Sequence, residues 1–200
     1  LVREKAHLIA SKFIDAKEDE QGRLTAISFP NAETFNFGFD IVDGIAREYP
    51  DKLAMLYVDK HHQERRFTFK DVKDASNQCA NYFTSLGIRR GDRVMLVLKR
   101  HYQFWFAILG LEKIGAIAIP AVAQLQEHDF EYRFNAAGVK AILCTADGDT
   151  AHQADLAAKN APCLELKMIV NGEREGWHNF DEEYQMYSTH YHRTEDSACD

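Results

Sequence analysis

The chain has 200 residues, 46% of them hydrophobic, and a formal net charge of −7. That length suggests one domain, or one and part of another, and the apolar share supports a sizeable core rather than overall disorder. The acidic balance argues against nucleic acid as the main partner, since phosphate binding needs a basic face and the pairs Arg65-Arg66 and Arg89-Arg90 are too short to supply one. Residues 1–38 are mixed. Leu1, Leu8, Ile9 and Phe13 fit one helical stripe, and "FPNAETFNFGF" reads as an extended, aromatic-rich lead-in. Asp40 can cap a helix with Ile41, Ile45 and Tyr49 facing inward, stopped by Pro50. "LAMLYV" and "RRFTF" read as two strands around the turn "HHQE", most simply a hairpin. Thr68 and Asp71 form a variant capping box for a long helix. Its apolar stripe is Val72, Ala75, Cys79, Phe83 and Leu86, and Gly87 is its left-handed stop.

Beyond Gly87, apolar runs and helical patterns alternate. "GDRVMLVL" gives a strand, "YQFWFAILGLEKIG" a helix and "AIAIP" a strand. "EHDFEYRFNAAG" gives a helix with Phe130 and Phe134 on one face, ending at Gly138. "VKAILCT", "AHQADLAAKNA" and "LELKMIV" give strand, helix, strand, and the tail reads as a helix striped by Trp177, Phe180, Tyr184 and Tyr187. Alternation from Val94 onward without hairpin turns implies a mainly parallel sheet with helices on both faces. The expected fold is therefore α/β, a mainly parallel sheet plus an N-terminal hairpin. Ligands in such sheets bind beyond the carboxyl ends of the strands, which points to loops 99–102, 120–127 and 145–150.

Four cysteines occur without a CxxC pair. Cys79 and Cys144 read as small core residues, which suits a reducing compartment and a cytoplasmic location. The longest apolar run, Phe104 to Leu111, is far short of the roughly 18 residues of a membrane span. "LVREKAHLIASKF" carries charges of both signs, unlike a signal peptide, and its initial Leu suggests a piece of something longer.

Chemistry is sparse. The sequence has no GxxxxGK[ST], no GxGxxG after a strand and no GxSxG elbow. "ADGDT" fits a turn better than a metal loop, and His61-His62 suits the hairpin turn. His190 and His192 could bind zinc with Cys199, but three candidates near one end of the chain are weak evidence for such a site. Asp59 follows a strand as in a response regulator, but "VLKRH" and "IPAV" supply no second carboxylate. Within "LEKIGAIAIPA" only Glu112 and Lys113 are reactive, and Gly110 and Gly115 read as packing and capping glycines. Tyr102, Trp105 and Phe106 could line an acyl path, although helix aromatics against a sheet are more often core.

Several stretches together resemble the N-terminal part of the adenylate-forming (AMP-binding) acyl-CoA synthetases. These are "RFTFKDVKDASNQCANYFTSLGIRRGDRVML" and "ILGLEKIGAIAIPA". "FNFGFDIVDGIAREYPDKLAM" and "REGWHNF" resemble the medium-chain branch, which activates fatty and aromatic acids. The resemblance implies an acyl-adenylate made from a carboxylic acid and ATP with Mg2+, then transfer to coenzyme A. It divides the chain into a lead-in, 1–38, and the first part of the AMP-binding domain, 39–200. The family's phosphate loop, ATP-contacting carboxylates and lid lysine come later, so no catalytic residue and no metal ligand is expected here, and the piece alone should be inactive. One ligand contact is implied. In "PAVAQL" the position of Gln124 matches the branch's coenzyme A-contacting Gln, with Val122-Ala123 where Thr-Thr is usual. The alternative for Gln124 is bonding backbone amides at a helix start. Two other readings stay open for the chain: another adenylating enzyme, peptide-synthetase or luciferase-like, or a non-enzymatic interaction module. An incomplete sheet would also expose apolar surface and favour a homo-oligomer.

Overall fold

A computed structural model describes residues 12–194. Leu1, Leu8 and Ile9 of the expected N-terminal stripe, and Cys199, lie outside them. The lead-in contains a small antiparallel hairpin, β1 (Asp15–Glu18) with β2 (Leu24–Ser28). Both strands are exposed throughout, so no alternating apolar pattern marked them in sequence. The aromatic stretch that follows is not extended. It turns at residues 30–34 and enters a wide helical turn, Gly38–Val42, that runs into α1 (Asp43–Glu48).

Asn36 rather than Asp40 caps this entry. Asn36 Oδ1 accepts from the Phe39 N–H at 3.2 Å, and Asp40 Oδ2 accepts from the Asn36 N–H at 2.8 Å. This is the reciprocal exchange of a capping box, begun four residues earlier than expected. The inward face moves with it. Phe39, Val42 and Ala46 are buried, Ile41 and Ile45 are half-buried, and Tyr49 is exposed.

The hairpin forms as expected, from β3 (Leu53–Val58) and β4 (Glu64–Thr68). Asp59 closes its turn by accepting the N–H groups of Gln63 and His61, each at 2.8 Å. Those bonds, the one from Gln63 first, hold its carboxyl below the usual aspartate range. His62 adopts the left-handed conformation there, at φ 59°. Helix α2 (Phe69–Ser85) begins in a capping box. Thr68 Oγ1 accepts from the Asp71 N–H at 3.1 Å, and Asp71 Oδ2 accepts from the Thr68 N–H at 2.8 Å. Val72, Ala75, Cys79 and Phe83 are buried, and Gly87 ends the turn at φ 83°.

Then come β5 (Arg93–Val97), α3 (Gln103–Lys113), β6 (Ile117–Pro120), α4 (Glu127–Ala137) and β7 (Val139–Thr145). After these come α5 (Thr150–Ala158), β8 (Leu166–Val170), β9 (His178–Asn179) and α6 (Phe180–Glu183). The five strands pair in parallel in the order β6-β5-β7-β8-β9. Both faces are covered, which is why β5 and β7 read as continuous apolar runs. Val94 and Leu96 pack with α2 and α3 on one face. Met95 and Val97 pack with Phe130, Phe134 and Ala154 on the other. The outer edge of β6 has no strand partner among the described residues, and Ile117 and Val122 are exposed there. No described helix is long and apolar enough to cross a membrane.

The tail is not one striped helix. Trp177 packs with α4 and α5, whereas Phe180 and Tyr184 pack with α2 on the opposite face. The short strand β9 lies between Trp177 and Phe180, and its extended backbone separates them across the sheet. This arrangement gives the "REGW" stretch a structural role. Asp155 of α5 accepts from Lys167 Nζ at 2.7 Å, Arg174 Nε at 2.6 Å and Trp177 Nε1 at 3.0 Å. Partial burial opposes ionisation of this carboxyl, but the Lys167 and Arg174 hydrogen bonds outweigh it and hold the group below the usual range. Asp155→Asn should cost about 2 kcal/mol in denaturant unfolding, the scale of hydrogen bonds to a charged group. Because the folded-state value is depressed, the carboxylate's contribution is complete above the unfolded value and lost as pH falls through the folded one. Unfolding midpoints should therefore fall more steeply below about pH 4 in the wild type than in the Asn variant.

Candidate functional site

The carboxyl ends of the strands carry two neighbouring clefts. The first, about 480 Å³, opens between the ends of β5 and β6 and is lined by Lys99, Arg100, Phe104 and residues 120–124. Register builds it. Leu96 pairs with Pro120, and the Ala121 N–H donates to the Leu96 carbonyl at 2.9 Å. Thr150 Oγ1 of the 145–150 loop donates to the Ala123 carbonyl at 2.9 Å and ties the two loops together.

Gln124 lies on this cleft, exposed, with no side-chain hydrogen bond among the described residues. It does not serve the start of α4. There Asp129 Oδ2 accepts from the Gln126 N–H at 3.2 Å, and buried Leu125 anchors the loop. Among the described residues, the Gln124 side chain therefore bonds no backbone amide at the start of α4.

The second cleft, about 770 Å³, lies past β5, β7 and β8 beneath the β3–β4 hairpin. Its floor is a polar network that the sequence did not reveal. His101 is 8% exposed. Its Nδ1 lies 3.1 Å from Asn171 Nδ2 and its Nε2 lies 2.8 Å from Thr145 Oγ1. Since the Asn171 amide can only donate from Nδ2, Nδ1 accepts and the proton sits on Nε2. Burial, opposed by Asp147 at 3.4 Å, pushes the imidazole below its ordinary value and favours this neutral form. Gln103 Nε2 donates to Asp181 Oδ1 at 2.7 Å, and the other Asp181 oxygen accepts from the Asn171 N–H at 2.7 Å. The network pins the ends of three strands together. The clue in sequence was Asn171, immediately after the apolar strand β8.

The other sequence candidates do not converge. Phe106 is core, and Tyr102 packs against Phe67 and Phe106 at ring centroids of 5.0 and 5.5 Å. The Tyr102 hydroxyl accepts from Arg65 Nη1 at 3.0 Å. Trp105 is 54% exposed and packs on Phe104, away from the other two, so no common aromatic path forms. "ADGDT" is a loop whose two aspartates diverge: Asp147 faces His101 while Asp149 accepts from Gln153. Cys144 sits in the core, and burial pushes its thiol up to about 12.

Lys113 is likewise structural. It is fully buried, and its Nζ donates to Asp43 Oδ1 at 2.8 Å, Ser76 Oγ at 2.8 Å and Asn77 Oδ1 at 2.7 Å. All three ammonium protons are used. The side chain fastens α3 to α1 and α2. Beside it, Asn36 Nδ2 donates to the Glu112 carbonyl at 2.8 Å.

Comparison with known proteins matches this framework. Residues 42–198 fit the model of the AMP-binding enzyme family. The chain is 33% identical over 160 residues to "Acyl-coenzyme A synthetase ACSM5, mitochondrial" of Rattus norvegicus, covering 76% of this chain and 27% of that protein. It is 31% identical over 169 residues to "Acyl-coenzyme A synthetase ACSM2A, mitochondrial" of Homo sapiens, covering 80% and 29%. Among solved structures it resembles an anthranilate CoA ligase, AuaEII, bound to anthranoyl-AMP. The TM-score is 0.69 at 22% identity, over 82% of this chain and 30% of that one. A Mycobacterium tuberculosis fatty acyl CoA synthetase gives a TM-score of 0.66 at 22% identity, over 78% and 29%. These two likenesses establish the shared fold. The chain spans less than a third of each of these proteins. With most of its length inside the family model, the chain belongs to the AMP-binding enzyme family.

Proposed function

We propose that these 200 residues form the first part of an ATP-dependent acyl-CoA synthetase of the medium-chain type. The lead-in spans 1–38, and 39–200 begin the AMP-binding domain. In the intact protein a fatty or aromatic carboxylate attacks the α-phosphorus of ATP and pyrophosphate leaves. The coenzyme A thiol then attacks the acyl carbon and AMP leaves. ATP, Mg2+ and coenzyme A are the proposed cofactors. The groups that stabilise charge on the triphosphate are supplied from outside this segment, so the segment alone does not adenylate. A reducing compartment is proposed from the buried thiols, with the cytoplasm or an organelle matrix equally suited.

The observation that carries this reading is Gln124. Its amide has no partner among the described residues, and the residue lines a cleft at the strands' carboxyl ends, at the position where the resembled branch contacts coenzyme A. The amide can donate to and accept from the amides of a pantetheine arm. In the full-length protein, Gln124→Ala is expected to raise KM for coenzyme A about tenfold, one to two hydrogen bonds' worth. KM for ATP and for the acid should stay as they are. A variant with unchanged coenzyme A kinetics would remove Gln124 from the site. Acyl transfer to a carrier-protein thiol or to oxygen, without coenzyme A, would favour the peptide-synthetase or luciferase-like relatives.

A further inference from the structure

The Gln124 cleft has a second feature. Lys99 and Arg100 follow the end of β5 in a bend and line the same cleft as Ala123 and Gln124. Both are exposed, and neither makes a side-chain hydrogen bond or ion pair among the described residues. Arg65, which lines the neighbouring cleft, is by contrast engaged with the Tyr102 hydroxyl. Lys99 and Arg100 also line the neighbouring cleft, which contains Asp59, Asp147 and Asp181, whereas no described carboxylate lines the cleft they share with Gln124. The lining of this cleft also includes the apolar residues Leu98, Phe104 and Pro120. A neutral amide, an apolar wall and a pair of exposed cations match a ligand with an amide-bearing arm and a polyanionic head.

We infer that Lys99 and Arg100 hold the phosphates of coenzyme A while Gln124 meets its pantetheine arm. The inference rests on the acyl-CoA synthetase reading above. Exposed cations act on a phosphate through a field that physiological salt screens over about 8 Å, so their contribution falls as ionic strength rises. ATP also carries phosphates, and the experiment must separate the two nucleotides.

The test uses the full-length protein, with coenzyme A and phosphate-free pantetheine compared as acceptors. Lys99→Gln and Arg100→Gln should each cut the kcat/KM preference for coenzyme A over pantetheine about tenfold, and the double variant about a hundredfold. The ratio is taken within each variant, so a partly misfolded preparation does not mimic the effect. Lys159→Gln, an exposed charge change at the end of α5, should leave the preference unaltered. The rise of KM for coenzyme A with salt should flatten in the double variant. An unaltered preference overturns the inference, as does an equal loss with both acceptors. A shift confined to KM for ATP assigns the cations to the triphosphate and also overturns it. If the wild-type protein shows no acid-dependent ATP–pyrophosphate exchange, the synthetase reading itself fails, and this inference fails with it.

Discussion

Lys113→Ala is expected to destabilise the fold by about 3–5 kcal/mol, measured by denaturant unfolding. The reason is what the substitution leaves behind. Asp43, Ser76 and Asn77 all turn their acceptors toward one ammonium, and all are at least nine-tenths buried. Without it, a buried carboxylate and two buried dipoles lose their donor. Burial pushes Lys113 below its ordinary value and Asp43 above it, despite their mutual attraction. In both directions, desolvation outweighs the pairing. What it does is hold α1, α2 and the end of α3 in one arrangement. Asp43→Ala should therefore be similarly costly, while the double variant costs clearly less than the sum of the two. Lys113→Met, which keeps most of the volume, should still lose several kcal/mol, because volume is not what is missing. A loss below about 1 kcal/mol for Lys113→Met would show that the acceptors find other partners and that the ammonium does not organise this junction.

Gly110→Ala is the second large effect. Alanine is the better helix former by about 1 kcal/mol, so an exposed site would gain from this change. Here an added Cβ would lie 2.6 Å from Cys79 Cβ and 3.1 Å from both the Ala80 nitrogen and the Ser76 carbonyl. Two of those three contacts are backbone, so relief requires α2 and α3 to move apart. Overpacking of this kind costs about 1–3 kcal/mol beyond the propensity gain. Removing the opposing Cβ should give part of this back. In a Cys79→Gly background the added cost of Gly110→Ala should fall, a favourable coupling in a double-mutant cycle. Additive losses would place the clash elsewhere.

Much of the scaffold was legible because its signals are local and agree. The Thr68–Asp71 cap, the Val72 to Phe83 stripe and Gly87 each point to the same helix. Gly138, at φ 58°, ends α4 where the pattern stops. Alternating strands and helices imply the parallel sheet through chain connectivity alone. What escaped depended on groups distant in sequence. Asn36 and Asp40 form a cap that a search for one capping residue divides wrongly. The β1–β2 hairpin buries neither face and leaves no periodic trace. Trp177 and Phe180 have helical spacing but sit on opposite faces, since a strand intervenes. The site was legible only in part. The position of Gln124 was readable, but the His101–Thr145–Asn171 network joins three strand ends, and no spacing rule connects residues 44 and 70 positions apart. Lys113 was visible as a reactive side chain. Its burial among three acceptors, which makes it structural, was not.

The most direct test of the account is carboxylate-dependent ATP–pyrophosphate exchange, measured in parallel for the full-length protein and for residues 1–200, with a panel of fatty and aromatic acids. The account predicts exchange by the full-length protein with at least one such acid and none by the 200 residues alone. Exchange by the 200 residues would contradict the assignment of the adenylating groups to the rest of the protein. No exchange by the full-length protein with any acid of the panel would contradict the synthetase reading.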